Sequence, residues 1–366
     1  MNILFYTPVN FRCRDIESLA KKYLEEGNTV FLLSTSEIGS LHYAFSEMGA
    51  GVATLSSAGK SFLVGTLQSV KGLIKFCREN KIDLLFSHLE PTNFIAVLAQ
   101  YFIKARVVIY RHHVDLAKLL HFEKSFTYKL TYRLAKDIIS VSEEGKQYMI
   151  DHEGVVPGKI ESINLGYDFS RYNDISKSNV DLIRQEYKHD LLLVTAGSLI
   201  HFKRQELSVE LVHRARNKGI NASLLILGIG SDLGRLIDLV KKYNVEDRVF
   251  FVGYKENILD YFSASDFLIH PSLSESSCVV VKEAALVELP VIACKGVGDF
   301  DNYLINKVNG ITVDKEYFVV ESLHHIEKYL VDPHVYKTCG ANLKTEIMRR
   351  FSIESVFSRY SKYGNK

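Results

Sequence analysis

The stretch FLIHPSLSESSCVVVKEAALVELPVIAC, residues 267–294, decides the fold. FLIHPS ends a short apolar run, PVIAC forms another, and the serines at 274–277 can cap a helix running from Cys278 to Leu289 before Pro290 stops it. Val279, Val280 and Val281 are mediocre helix formers, but the length of the segment and its serines favour helix over strand. A strand, a helix and a second strand, both strands apolar almost throughout, predict a parallel sheet covered on both faces.

The same alternation extends outward in both directions. NILFYT (2–7), TVFLLS (29–34), DLLFSH (83–88), RVVIYR (106–111) and DIISVS (137–142) read as strands, with helical spacing over 16–26, 62–79 and 94–102. A second series follows: LLLVTAG (191–197), ASLLILG (222–228), RVFFVG (248–253), FLIHPS, PVIAC and NGITV (309–313), with helix-length segments at 205–218 and 233–243. Two such series predict an α/β chain of two doubly wound parallel-sheet domains, and 366 residues are too many for one ordinary core. The polar, turn-rich LGYDFSRYNDISKSNVD places the linker near 166–180. In this architecture ligands bind beyond the carboxyl ends of strands, so a cleft between the domains is the expected site.

Composition narrows the field. With 45 Lys and Arg against 43 Asp and Glu, the net charge of +2 names no polyanionic partner, and nucleic acid is not expected. No segment approaches the roughly 20 uncharged apolar residues that span a bilayer, and MNILFYTPV turns polar too soon for a secretory signal, so a cytoplasmic location is expected. Five scattered cysteines give neither a disulfide framework nor metal-ligand spacing and read as reduced thiols.

Several local motifs carry less. SSAGKS (56–61) resembles the end of a phosphate-binding loop, but the first glycine of that pattern falls on Thr54. In LGIGSDLG the glycines at 228, 230 and 234 miss the dinucleotide spacing by one residue, although glycines at a helix start still let backbone N–H groups approach an anion. In VVIYRHHVD two histidines close a strand, and adjacent side chains on a strand point to opposite sides, so one of them is expected to face the cleft. Between Lys104 and Lys136 eight basic residues stand against Asp115 and Glu123, interleaved with Phe122, Phe126, Tyr128 and Tyr132. That pattern suits a solvated helix face or contact with an anionic membrane surface.

The carboxylates of the opening stretch carry more. On one helix Glu275 and Glu283, eight positions apart, are separated by a rise of ~12 Å. The acid/base pair of a glycosidase needs roughly 5 to 9.5 Å, so shared duty at one bond is disfavoured. Carboxylates accept hydrogen bonds from sugar diols, and a helix N-terminus between them suits phosphate. Sugar, diphosphate and ribose in a row describe a nucleotide sugar.

At these residues the chain resembles the retaining GT-B glycosyltransferases of family 4. The resemblance is carried by E-x7-E at 275–283 with EAALVELPVIACKGVGDFDNYLINKVNGITV (283–313), and it extends through KDIISVSEEGKQYM, VVPGKIESINLGYD, AGSLIHFKRQELSVEL, LLILGIGSD, RVFFVGY and YFSASDFLIHPSLSES in order. It implies that residues 1–170 form an acceptor-binding domain, 171–345 a nucleotide-sugar-binding domain, and 346–366 a helix crossing back to the first. It implies catalytic roles for Glu275, which would hold the transferred sugar's hydroxyls, for Lys203 facing the diphosphate, and for His112 near the reacting centre. Glu283 would bind the ribose, Ser276, Ser277 and Cys278 would turn their amides toward the sugar, and Tyr254 would lie near the base. Gly230 belongs to the same donor set, and His113 is the fallback for His112 on the acceptor side.

Three departures from the family pattern stand out. Ser198 replaces a usual arginine on the diphosphate, with Arg204 as the neighbouring substitute. TPVNFRCRD lacks the family's paired glycines, leaving Arg12 and Arg14 to meet an acceptor phosphate, and ESSC replaces a glycine-rich EGFG beside the sugar. The activity implied is a metal-independent, cofactor-free transfer, with retention, from a nucleotide-diphosphate sugar to a hydroxyl of a glycan or lipid-linked saccharide, by an enzyme peripheral at the inner membrane face. Domain closure around the donor would exclude water. A GT-B nucleotide-sugar epimerase, or a donor-binding partner subunit without catalysis, are the alternatives that the sequence leaves open.

Overall fold

The computed structural model describes residues 1–55, 62–112, 125–172, 175–187, 190–275 and 277–364. The chain divides into two compact units, Met1–Phe169 with Arg350–Lys366, and Ser170–Arg349. Both are built on wholly parallel sheets covered by helices, in agreement with the α/β class read from the alternation.

The first unit carries β1 (Asn2–Thr7), β2 (Thr29–Ser34), β3 (Gly51–Thr54), β4 (Leu84–His88), β5 (Arg106–Arg111), β6 (Asp137–Ser140) and β7 (Ile160–Ser162), in the spatial order β3-β2-β1-β4-β5-β6-β7. Its central strands are buried on both faces because both faces meet helices: Leu4, Leu85 and Ile109 pack with Ala96, Val97 and Met149 on one side. On the other, Phe5, Phe86 and Tyr110 form an aromatic layer with Tyr23 and Phe45. Helix Ile353–Ser361 closes this second layer. The Tyr23 hydroxyl donates to the Tyr360 carbonyl (3.0 Å), the Tyr360 hydroxyl to that of Asn164 (2.7 Å), and Phe357 meets Tyr23 edge-on.

The second unit carries β8 (Leu191–Ala196), β9 (Ala222–Leu227), β10 (Val249–Gly253), β11 (Phe267–His270), β12 (Val291–Cys294) and β13 (Ile311–Val313), ordered β10-β9-β8-β11-β12-β13. The strand order reverses beside β8, and the loops leaving β8 and β11 flank the point of reversal, where an open α/β sheet offers its crevice. In the first unit the corresponding loops leave β1 and β4.

Three expectations are corrected. The helix in the opening stretch spans Val279–Leu286, with Cys278 at its N-cap and no side-chain cap bond, so the serines do not cap it. It stops before Glu288, whose φ of 59° is left-handed, and Pro290 follows. Glu275 therefore precedes the helix rather than riding on it, and a helical rise does not measure its distance from Glu283. Within the segment read as linker, a helix begins at Lys177 and runs to Glu186. The phosphate-loop-like 56–61 lies outside the described residues.

Candidate functional site

β8 leaves the second sheet through Gly197 (φ 137°) into a single 3-10 turn, His201–Lys203, which presents Lys203 beyond the strand end. β11 ends on His270, and Pro271 to Ser274 lead to Glu275. The three side chains meet at one atom: Glu275 Oε1 accepts from Lys203 Nζ at 2.5 Å and lies 2.7 Å from His270 Nε2. The same nitrogen lies 3.5 Å from Cys278 Sγ. Glu275 Oε2 takes no hydrogen bond among the described residues, and the side chain as a whole keeps 8% of its surface exposed. An acceptor-only group held by one oxygen and offering the other is set to receive hydroxyls.

The electrostatics follow from burial and partners. Burial opposes ionisation of Glu275, but His270 and Lys203 more than offset it and hold the carboxyl at about 2. Burial also opposes charge on His270, and the Cys278 sulfur and the Glu275 carboxylate together push it upward. His270, Glu275 and Cys278 offer three atoms of metal-ligand type within 4.8 Å of one another, and the Lys203 ammonium bonds Glu275 Oε1 in the same cluster.

The backbone around this centre is packed to the limit. A side chain at Gly298 (φ 56°) would place its Cβ 2.3 Å from the Glu275 carbonyl oxygen, so only glycine lets that loop press on the loop carrying Glu275. Gly230, expected in the donor set, has its Cβ position 2.2 Å from the Leu199 carbonyl oxygen, which makes it the contact point between the loops after β8 and β9. Below them Lys282, with no exposed surface, reaches back along its helix to Ser277 Oγ (3.0 Å), the Cys278 carbonyl (3.2 Å) and Asp299 Oδ2 (3.1 Å).

The remaining expected donor residues divide. Glu283 is buried on the helix behind the centre at 7% exposure. Ser198 is exposed, its carbonyl accepting from Gln205 Nε2. Tyr254, just past β10, is 69% exposed. Arg204 turns elsewhere: its guanidinium donates to the carbonyls of Pro271 (2.8 Å) and Lys315 (3.1 Å) and to Cys294 Sγ (3.1 Å). It braces the ends of β11 and β12, so the substitute cation suggested by sequence adjacency is committed to the protein's own backbone. Ser276 lies outside the described residues.

In the first unit His112 directly follows β5. Its Nε2 lies 3.1 Å from Nδ1 of His88, the last residue of β4, and its ring stacks on Tyr110. His88 itself is buried between Phe5 and Tyr110, and burial, reinforced by His112, keeps it far below the usual histidine range. Two residues beyond His88, both carboxyl oxygens of Glu90 are buried with no partner at hydrogen-bond distance among the described residues. Tyr132, Asn93 and Arg111 are its polar neighbours, and burial pushes it up to about 7. Arg12 is a bidentate partner of Glu17 (2.7 and 2.6 Å), and Arg14 opens helix Arg14–Glu25, so both help form that helix start. His113 lies outside the described residues. Sequence reasoning passed over His270, Lys282, Asp299, His88 and Glu90. The available signal was a histidine closing an apolar strand, present in both LLFSH and FLIH.

Comparison with known proteins bears on the family and the fold. The family model described as glycosyl transferases group 1 matches residues 179–346, and that of glycosyltransferase family 4 matches 14–171. The chain is 24% identical over 77% of its length to N-acetyl-alpha-D-glucosaminyl L-malate synthase of Bacillus anthracis, covering 74% of that protein. It is 25% identical over 56% of its length to the lipopolysaccharide glucosyltransferase WaaG of Escherichia coli, covering 59% of it. Three of the curated relatives it matches are spanned over 58%, 74% and 59% of their length. Among solved structures, Anabaena HepE in complex with UDP superposes with a TM-score of 0.84 at 18% identity over 99% of both chains. Two family models that together take in nearly the whole chain, on two parallel-sheet units of matching fold, make it a member of the GT-B glycosyltransferases of family 4.

Proposed function

We propose that this glycosyltransferase moves a hexosyl or N-acetylhexosaminyl group from a nucleotide-diphosphate sugar to a hydroxyl of a glycan or lipid-linked saccharide, with retention and without a metal. The observation that carries the reading is the centre at Glu275. One carboxylate oxygen is tied down by Lys203 and His270 while the other is open to sugar hydroxyls. An ammonium beside this pair is the charge a departing diphosphate needs, supplied by the chain itself. In the step proposed, the bond from the anomeric carbon to the diphosphate oxygen breaks, and the acceptor oxygen bonds to that carbon from the same face. The acceptor's proton leaves with the diphosphate. A carboxyl held at about 2 by two cationic partners is a poor nucleophile, which favours a binding role for Glu275 over a covalent one.

The likeness to WaaG favours an acceptor in lipopolysaccharide or cell-surface polysaccharide synthesis, and the HepE complex makes UDP the first nucleotide to test. Among the described residues no helix is long and apolar enough to cross a membrane. Peripheral contact at the inner membrane face is proposed from the exposed Tyr101 and Phe102 beside Lys104 and Lys136, the latter ammonium lying over the Tyr101 ring; Lys118 and Lys124 of the basic stretch lie outside the described residues. Thermal shift across uridine, guanosine and adenosine diphosphate sugars tests the donor assignment, since a bound ligand raises the melting temperature by mass action. Proton NMR of the product then reads the anomeric configuration. A chain that none of these donors stabilises refutes the reading, release of an altered nucleotide sugar without acceptor points to an epimerase, and binding without turnover points to a partner subunit.

A further inference from the structure

His270 has no assigned part in this chemistry, yet it holds the group that does. We infer that His270 is a positioning residue, which fixes the plane of the Glu275 carboxylate through its Nε2–H so that Oε2 alone is presented to the donor sugar. The inference rests on the donor-site reading above and adds a selectivity to it: His270 governs recognition of the sugar and leaves recognition of the nucleotide diphosphate alone.

The geometry supports this in three ways. The imidazole is 2% exposed and closes β11, so its position is set by the sheet, with the Phe300 ring meeting it edge-on at 5.6 Å. The carboxylate, by contrast, sits on an irregular segment between β11 and helix Val279–Leu286, where the local backbone supplies no repeating hydrogen bonds to hold it. Lys203 also bonds Oε1, but its flexible four-carbon stem leaves it free to follow a diphosphate. When it does, His270 is the remaining donor on that oxygen, and a buried carboxylate on a loop with one rigid donor keeps one orientation. Cys278 Sγ, 3.5 Å from the same nitrogen, completes the wall around the ring and buries it further.

The test is calorimetric, on the full chain, with UDP, GDP and ADP and with UDP-glucose, UDP-N-acetylglucosamine, GDP-mannose and ADP-glucose as probes. The nucleotide sugar that wild type binds best is then compared with its own diphosphate in His270→Ala and His270→Gln. The glutamine side-chain amide reaches about as far as Nε2 and can still donate to Glu275. We expect His270→Ala to weaken the nucleotide sugar by roughly tenfold or more while the free diphosphate changes less than about twofold, and His270→Gln to recover most of the loss. Unchanged diphosphate binding also certifies that the variants are folded. Equal weakening of both ligands in both variants assigns His270 to packing alone and overturns the inference, as does no change in either. A wild-type chain that binds no diphosphate and no nucleotide sugar overturns the donor-site reading itself, and this inference falls with it.

Discussion

Each unit places a histidine at the end of the strand beside its point of sheet reversal and a glutamate shortly after it: His88 and Glu90 behind β4, His270 and Glu275 behind β11. Topology is the same and chemistry is opposite. Glu275 has two cationic partners on one oxygen and stays ionised, and His270 is drawn toward its charged form. Glu90 has none at hydrogen-bond distance among the described residues and is pushed toward neutrality, while burial among aromatic rings drives His88 toward its neutral form. The fold fixes where polar groups emerge, and the immediate neighbours decide which form they take.

Three experiments separate the cases further. The largest effect is expected at Glu275. Replacing it with alanine removes the carboxylate proposed to accept from the sugar hydroxyls and leaves Lys203 and His270 without their shared partner, and we expect kcat/KM for the nucleotide sugar to fall by about 100- to 1,000-fold in a steady-state assay. Glu90→Ala, measured alongside it, should leave affinity for the nucleotide unchanged. A fall in kcat/KM for the nucleotide sugar there equal to that of Glu275→Ala would erase the contrast.

Asp299 is the intermediate case, a buried carboxylate with one dedicated cation. Lys282→Ala would leave it uncompensated in the interior, where Oδ1 has no partner among the described residues. We expect a loss of about 3 kcal/mol, read as a drop of several degrees in the calorimetric melting temperature. Lys282→Met combined with Asp299→Leu should recover much of it.

The smallest effect belongs to Glu90 and depends on pH. Its carboxyl titrates near 4.5 in the unfolded chain and at about 7 when folded, so between those values the unfolded chain binds fewer protons and native stability falls as pH rises. The cost is absent below pH 4.5 and complete above 7. Glu90→Gln should therefore stabilise the chain by about 1 to 3 kcal/mol at pH 8 and by little at pH 4.5, measured by denaturant unfolding at both. Equal stabilisation at both values would show that the carboxyl is not desolvated as described.

The sequence was most legible where one physical requirement dominated. Strands such as LLLVTA and ASLLIL, buried on both faces, leave an unbroken apolar run, and the alternation of these runs with helices predicted the fold class. β3, with alternating burial, and the three-residue β7 lie at the sheet edges, where few apolar positions are required, so neither left such a run. Helix Lys177–Glu186 buries only Ile183, and its first turn fell within the polar segment read as linker. Glu275 and Lys203 in the second unit and His112 in the first were named through the family pattern. His270 was hidden inside a strand, because its partnership with Glu275 depends on the path of the loop between them. Arg204 illustrates the reverse: adjacency to Lys203 suggested a shared ligand, but its left-handed φ of 50° sends its side chain to the ends of β11 and β12.

The docking of residues 350–364 on the first unit also has a consequence for how the chain is made. Tyr23 and Phe357 touch, but roughly 180 residues of the second unit must leave the ribosome between them. At about 5 to 20 residues per second, the aromatic layer of the nascent N-terminal half waits on the order of ten to forty seconds for its last helix. A stop codon a few residues past Arg349 would therefore spare the second unit and strip the first of its cover, so premature termination at the far end should first appear as aggregation of the beginning.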